Sequence, residues 1–398
     1  MDAQPTGSTN HGFSFEAFSA GLLAAFVGFA SSFAVIIQGL TAMGASQREA
    51  ASGLMALSIG MGLCAIFLSF RTKQPISIAW STPGAALLAA SAAPAGGFAT
   101  AVGAFLVSSL LIVIAGLWKP LGRAVASIPA PLANAMLAGV LLGLCLAPVK
   151  AVAASPAFGL AIVVTWALVA RWRRLYAVPA AVLVTVGIIA ATADVGHLDM
   201  ASLWPRPVLV VPHFSLPAMI GIALPLFIVT MASQNIPGIA VLNVNGYRPD
   251  PGPLFSITGL FSLASAPFGG HAVNLAAITA ALCAGHDAHP DPARRYWAAA
   301  VSGIFYVLFG LAAGAATAFV SAAPPILIQA VAGLALLGAL GSAMLGAVGD
   351  QKDREAAIIT FIVTASGVSF FGISGAFWGL LAGGAIYALA RWRRAHRV

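Results

Sequence analysis

His271 stands alone in this sequence: no other Asp, Glu, Lys, Arg or His falls well inside a long apolar run. It lies in PFGGHAVNLAAITAALCAG (267–285). An ionisable group kept in apolar surroundings is costly and is a functional hypothesis by default, a structural core histidine being the other reading. A carboxylate bound beside it would favour its protonated form. Proton and anion would then bind together, a positive coupling that is the basis of symport.

A second group lies in PISIAWSTPGAALLAASAA (75–93), where Ser81, Thr82 and Pro83 form a helix-start signal directly after Trp80. A helix start offers free backbone N–H groups and the positive end of a dipole, which together suit an anion. Ser81 and Thr82 serve as caps, ligand contacts or both, and Asn274 could add a donor from the other segment. Trp80 either lines an apolar or aromatic pocket or simply packs. In TMASQNIPGIAVLN, Gln234 and Asn235 precede Pro237 and Gly238, which should loosen the helix. These amides either glue helices together or face a cavity and bind a polar ligand edge. Asn134, Gln329 and Gln38 are assigned to helix packing. The stretch HDAHPDPARR (286–295) reads as a solvated turn before it reads as a metal site. No phosphate loop, nucleotide fingerprint, serine elbow or HExxH motif is present, and no cofactor is expected.

The elements that must position these residues follow from composition. Of 398 residues 60% are hydrophobic and 8% charged, against roughly a quarter charged in soluble domains. So few charges cannot clothe a water-facing surface of this size, and the partner of most of that surface is the lipid bilayer. The net charge of +8 sits in short hydrophilic breaks, not in a basic patch suited to nucleic acid. Cys64, Cys145 and Cys283 all lie in apolar runs and read as packing thiols. No cleavable signal peptide is expected, because no Lys or Arg precedes the first apolar run.

A helix needs about 20 apolar residues to cross the hydrocarbon core. Full spans are predicted near 15–40, 49–70, 97–117, 129–148, 156–170, 175–193, 216–242, 254–267, 295–319, 324–346, 355–373 and 374–390. The segments 75–93 and 267–285 are apolar but broken. In the first, about six extended residues precede a half-helix of roughly twelve, and together these match the bilayer. In the second, Gly269 and Gly270 disfavour a regular helix, and a helical pattern resumes from about Val273 to Ala284. If both cross, with both termini cytoplasmic, Lys and Arg divide 16 inside to 3 outside; if neither does, the division falls to 12 and 7. The expected fold is therefore all-α and integral to the membrane. It has fourteen segments in two inverted repeats of seven, the third and tenth each a short strand plus half-helix. The repeats are 15–193 and 216–390, joined by a periplasmic loop at 194–215, with cytoplasmic tails at 1–14 and 391–398. Inverted repeats with matching broken helices point to a substrate site at midplane.

On PISIAWSTPGAALL (75–88), SQNIPGIAVL (233–242) and PFGGHAVNLAAITAA (267–281), the chain resembles the bacterial benzoate/proton symporter family (BenE type) over essentially its full length. The resemblance implies uptake of benzoate with protons across the inner membrane, and kinship with nucleobase and sulfate transporters. It also implies a core domain of spans one to four and eight to eleven moving against a gate domain of five to seven and twelve to fourteen. Where the nucleobase carriers place acidic residues, this chain has Gln234 and His271, which suits an anionic substrate. On this reading Trp80, Ser81, Thr82, Gln234, Asn235, His271, Val273 and Asn274 bind an aromatic carboxylate, held by half-helix starts at Ser81–Thr82 and Val273–Asn274, and His271 couples the proton. A nucleobase or inorganic-anion carrier of the same fold is the nearest alternative. An anion channel would use the same dipole ends without alternating access. The lack of intramembrane carboxylates or metal-ligand spacing disfavours an enzyme. A homodimer is the assembly held open.

Overall fold

Serine, proline and glycine punctuate the apolar runs, and the computed structural model, which describes residues 14–192, 204–322, 324–368, 370 and 373–395, starts and ends its helices at them. Most of the expected tail at 1–14, part of the inter-repeat loop and the last three residues lie outside the described residues. Helix α1 (Phe15–Ala30) is capped by Ser14, whose hydroxyl accepts from Ala17 N–H. It stops at Ser31 and Ser32, which both return their hydroxyls to the Gly28 carbonyl, a local bond that competes with helix propagation. The run then continues as α2 (Phe33–Ala42). Helix α3 (Gln47–Thr72) begins with a reciprocal capping box between Ser46 and Glu49.

The first broken segment gives strand β1 (Ile78–Trp80) and helix α4 (Thr82–Ala90). Then come α5 (Gly97–Leu117), α6 (Lys119–Ala126), α7 (Ala130–Cys145), α8 (Ala147–Ala154), α9 (Pro156–Trp172) and α10 (Ala177–Thr192). The expected span at 129–148 is interrupted at Leu146, two residues before Pro148, and runs on as a short helix to Ala154.

The connecting stretch from 204 lies along the bundle. Val208 N–H donates to Ser52, Val210 N–H to the Pro267 carbonyl and His213 N–H to the Ala99 carbonyl. The next run holds three helical pieces, α11 (Leu216–Ala218), α12 (Leu224–Thr230) and α13 (Ile236–Val244), joined by π turns at Met219–Ala223 and Met231–Asn235. Each π turn ends two residues before a proline, Pro225 or Pro237. A proline has no N–H to close the α-helical bond and its ring crowds the carbonyl four residues back, so the backbone widens there.

Helix α14 (Pro251–Ser265) leads to the second broken segment, strand β2 (Val273–Leu275) and helix α15 (Ile278–Ala284). Here the sequence-based expectation fails: Val273 and Asn274 are strand, and the half-helix starts only at Ile278. The pairing with β1 is the reason, since it holds residues 272–276 extended. The chain closes with α16 (Tyr296–Leu311), α17 (Ala313–Ala322), α18 (Pro325–Val348), α19 (Arg354–Ala365) and α20 (Gly375–Ala395).

By length and apolar composition, six helical stretches among the described residues can cross a membrane, and a seventh if the pair meeting at 58° at Ala312 is one span. The protein is a mostly helical, multi-pass membrane protein. Its helices pack in two groups. In one, α3 lies on α14, α16 and α17, α1 on α15 and α16, and α5 on α14; in the other, α7 lies on α18, α19 and α20, and α18 on α8, α9 and α10. Helix α2 touches both groups, through α3 and α17 on one side and α18 on the other, and α4 packs on α2 and on α7.

Candidate functional site

Two three-residue strands meet in the interior of this bundle, where backbone cannot rely on water for its hydrogen bonds. They are antiparallel, with Ile78 opposite Leu275, Ala79 opposite Asn274 and Trp80 opposite Val273. Ser81 N–H to the Ala272 carbonyl (3.2 Å) and Ala276 N–H to the Ser77 carbonyl (2.9 Å) extend the ladder. In this register the N–H and C=O of Val273 and Leu275 point away from β1. Side chains meet all four, the single Ser262 proton being shared between the Val273 carbonyl and the Thr258 carbonyl (2.8 Å). Ser262 Oγ of α14 accepts from Val273 N–H (2.8 Å) and lies 3.0 Å from the Val273 carbonyl. Asn235 Oδ1 accepts from Leu275 N–H (2.9 Å), and Asn274 Nδ2 donates to the Leu275 carbonyl (2.9 Å).

The two amides singled out in the sequence therefore serve first as edge strands made of side chains. Asn235 also directs Nδ2 to the Met231 sulfur (3.1 Å), so its side chain is used up within the fold. Asn274 Oδ1 is buried and without a hydrogen-bond partner. Gln234 is half-buried, and no described residue hydrogen-bonds its amide.

At the other end of the ladder, Ser81 is held by three neighbours. Its Oγ accepts from Gly84 N–H (3.1 Å), capping α4, and from Thr230 Oγ1 (2.9 Å) on α12. Its carbonyl accepts from His271 Nε2 at 2.9 Å. A carbonyl can only accept, so this nitrogen carries the proton and Nδ1 is the bare one. Nδ1 is buried without a partner, and the ring meets Phe105 of α5 edge-on at 6.3 Å. Thr82 is the first residue of α4, half-buried, with its hydroxyl unclaimed by any described side chain or backbone group.

Trp80 is bound to the junction of α1 and α2. Its indole N–H donates to Ser32 Oγ (2.8 Å) and its ring packs on Phe29 at 5.4 Å, which in turn packs on Phe33 and Phe309. One hydrogen bond thus joins the residue before α2 to the residue two before α4.

The expectation that both half-helix starts hold one carboxylate does not survive the register. Ala277, which precedes α15, is five positions along the ladder from the residue opposite Ser81, a spacing of about 16 Å at ~3.3 Å per residue. No single carboxylate spans that. Of the eight residues expected to bind substrate, Ser81, Thr82 and His271 share one corner; Val273 and Asn274 are strand, Asn235 supports the strand edge, Gln234 lies half-buried in the π turn beside it, and Trp80 packs inward. Ser32, Thr230, Ser262 and Phe105 were missed, because single hydroxyls and phenylalanines in apolar runs give no signal of their own. Arg295, expected in a solvated turn, is buried and donates to the carbonyls of Ala284 (2.8 Å) and His289 (2.7 Å), holding the end of α15.

Comparison with known proteins adds the following. The profile of the family described as "Benzoate membrane transport protein" matches residues 12–389. The chain is 40% identical over 370 residues to "Inner membrane protein YdcO" of Escherichia coli (strain K12), covering 93% of this chain and 94% of that protein. It is 33% identical over 364 residues to the "Benzoate membrane transport protein" of Acinetobacter baylyi, covering 92% of each. Among solved structures, the transmembrane domain of the cyanobacterial bicarbonate transporter BicA aligns with a TM-score of 0.60 at 17% identity, covering 93% of this chain and 97% of that one. SLC26A9 aligns with a TM-score of 0.62 at 14% identity; 94% of this chain is covered, but only 65% of the length of SLC26A9. At such identities the likeness is one of fold.

Proposed function

The chain belongs to the benzoate membrane transport protein family, and on that footing we propose that it takes up benzoate or a similar aromatic carboxylate together with protons across a bacterial inner membrane. The spans number fourteen in this reading, as two inverted repeats of seven with both termini cytoplasmic. The packing of the helices into two groups supports a core of spans one to four and eight to eleven working against a gate of the rest.

The observation that carries the proposal is the corner formed by Ser81, Thr82 and His271. Helix α4 is nine residues long and its first residue has an unclaimed hydroxyl. The carboxylate binds there, at the Thr82 N–H and hydroxyl, where the α4 dipole favours negative charge. His271 lies one carbonyl away, tied to Ser81, with Nδ1 free to take a proton. An imidazolium and a carboxylate attract each other strongly in this dry setting, so each raises the affinity for the other. That is the coupling symport needs. With no fixed carboxylate at this corner, nothing repels the anion. Gln234, half-buried and without a partner among the described residues, is available to a polar edge of the ligand.

The test is labelled benzoate uptake into proteoliposomes under an imposed inward proton gradient, with uracil and sulfate as competitors. Neutral benzoic acid crosses lipid unaided, so the readout is the saturable initial rate above protein-free vesicles, at a pH where nearly all of the solute is carboxylate. The expected result is gradient-stimulated uptake, abolished by a protonophore and insensitive to uracil and sulfate. A rate equal to that of protein-free vesicles would refute the reading. Voltage-driven current that ignores the proton gradient would replace the carrier by a channel.

A further inference from the structure

Gln38 has no use for its amide in the packing as it stands. Both the nitrogen and the oxygen are buried, and neither has a hydrogen-bond partner. A glutamine that packs transmembrane helices is expected to bond across the interface. This one does not.

Its place in the fold is informative. Gln38 lies one turn along α2 from Ala34, so the two share a face. Ala34 clusters with Ile189 of α10 and Ile328 of α18, bordered by Phe319 and Val320 of α17. The neighbouring Gly39 faces α4 instead: a Cβ there would meet the Ala85 carbonyl at 2.6 Å. The Gln38 amide therefore belongs to the seam where α2 meets α10 and α18, whose members around Ala34 (Ile189, Ile328, Phe319 and Val320) are apolar.

Burying an amide without a partner disfavours the arrangement that buries it, whereas methionine would fill a similar volume at no such cost. The penalty vanishes wherever water reaches the amide. We propose that Gln38 is a gating residue: its unpaired amide destabilises the closed seam between α2 and α10–α18 and is hydrated when the seam opens, so that this side chain sets the balance between the two arrangements. The proposal rests on the reading of two bodies that move against each other.

The test is a thiol placed in the seam. In a chain carrying Cys64→Ala, Cys145→Ala and Cys283→Ala, an added Ile328→Cys reports opening through its rate of reaction with a maleimide, in the absence of substrate. Adding Gln38→Met should slow labelling about tenfold and raise the midpoint of thermal unfolding. Adding Gln38→Glu, which places a charge in the closed seam, should accelerate it. An unchanged labelling rate with Gln38→Met, or a lower unfolding midpoint, would overturn the proposal. Should the methionine variant fail to fold, a glutamate variant labelled no faster than its parent overturns it as well. Because no substrate is present, loss of benzoate uptake with an intact labelling response would count against the transport reading alone.

Discussion

Replacing His271 by glutamine separates the proton from the hydrogen bond. His271 is 0% exposed and its Nε2 lies 2.9 Å from the Ser81 carbonyl. A glutamine amide can donate to that carbonyl, so His271→Gln should cost less than about 1 kcal/mol of stability. His271→Phe keeps the ring against Phe105 but leaves a buried carbonyl without that donor, and should cost about 1–3 kcal/mol. The transport effects run the other way. A difference of one pH unit is worth about 1.4 kcal/mol per proton, so symport of one proton per carboxylate gains up to about tenfold from such a gradient. For His271→Gln the gradient should give no stimulation of the initial rate, while exchange of labelled for unlabelled benzoate at equal pH continues. Thermal unfolding in detergent and the two uptake assays measure both effects. Full proton stimulation in His271→Gln would refute the assignment of the proton to this residue, and equal stability of the glutamine and phenylalanine variants would refute the role of the Ser81 bond.

Three further outcomes are expected. Thr82→Val should raise the KM for benzoate about tenfold, the worth of one hydrogen bond to a charged group, with unfolding almost unchanged; an unaltered KM would move the carboxylate elsewhere. Ser262→Ala orphans Val273 N–H in the strand edge and should lower stability by about 1–3 kcal/mol in thermal or denaturant unfolding, with uptake lost in proportion to folded protein. Gly28→Ala would drive a Cβ into the Tyr306 hydroxyl, separating α1 from α16. Adding Tyr306→Phe should recover part of that loss, and a double variant no better than Gly28→Ala would show that the hydroxyl is not the obstacle.

Much of the site was legible because helix breaks are written locally. Ser81-Thr82-Pro83 marks the start of α4 within one residue, and Gly269, at φ +93°, marks the irregular entry to β2. The start of α15 was misjudged because Val273-Asn274-Leu275 carries no local stop signal. What keeps it extended is β1, about 200 residues earlier in the chain. The amides show the same limit. Asn235, Asn274 and Gln38 are alike as polar residues in apolar runs, yet the first closes a strand edge, the second does so with one of its two polar atoms, and the third closes nothing.

Sequence alone determined the solvent, the existence of two broken segments and the family. Charge scarcity, prolines, glycines and a motif such as PISIAWSTPGAALL are properties of neighbouring residues, and they act before any fold exists. Tertiary structure decided which polar groups are consumed and which are left without a partner. It left the Thr82 hydroxyl and His271 Nδ1 unclaimed while spending Ser81, Asn235 and Trp80 on the frame, and its strand register set the two half-helix starts too far apart to share one carboxylate. The physical reason is that in a dry interior every buried donor and acceptor competes for the same few partners, and that competition is settled by distance in space rather than by order along the chain.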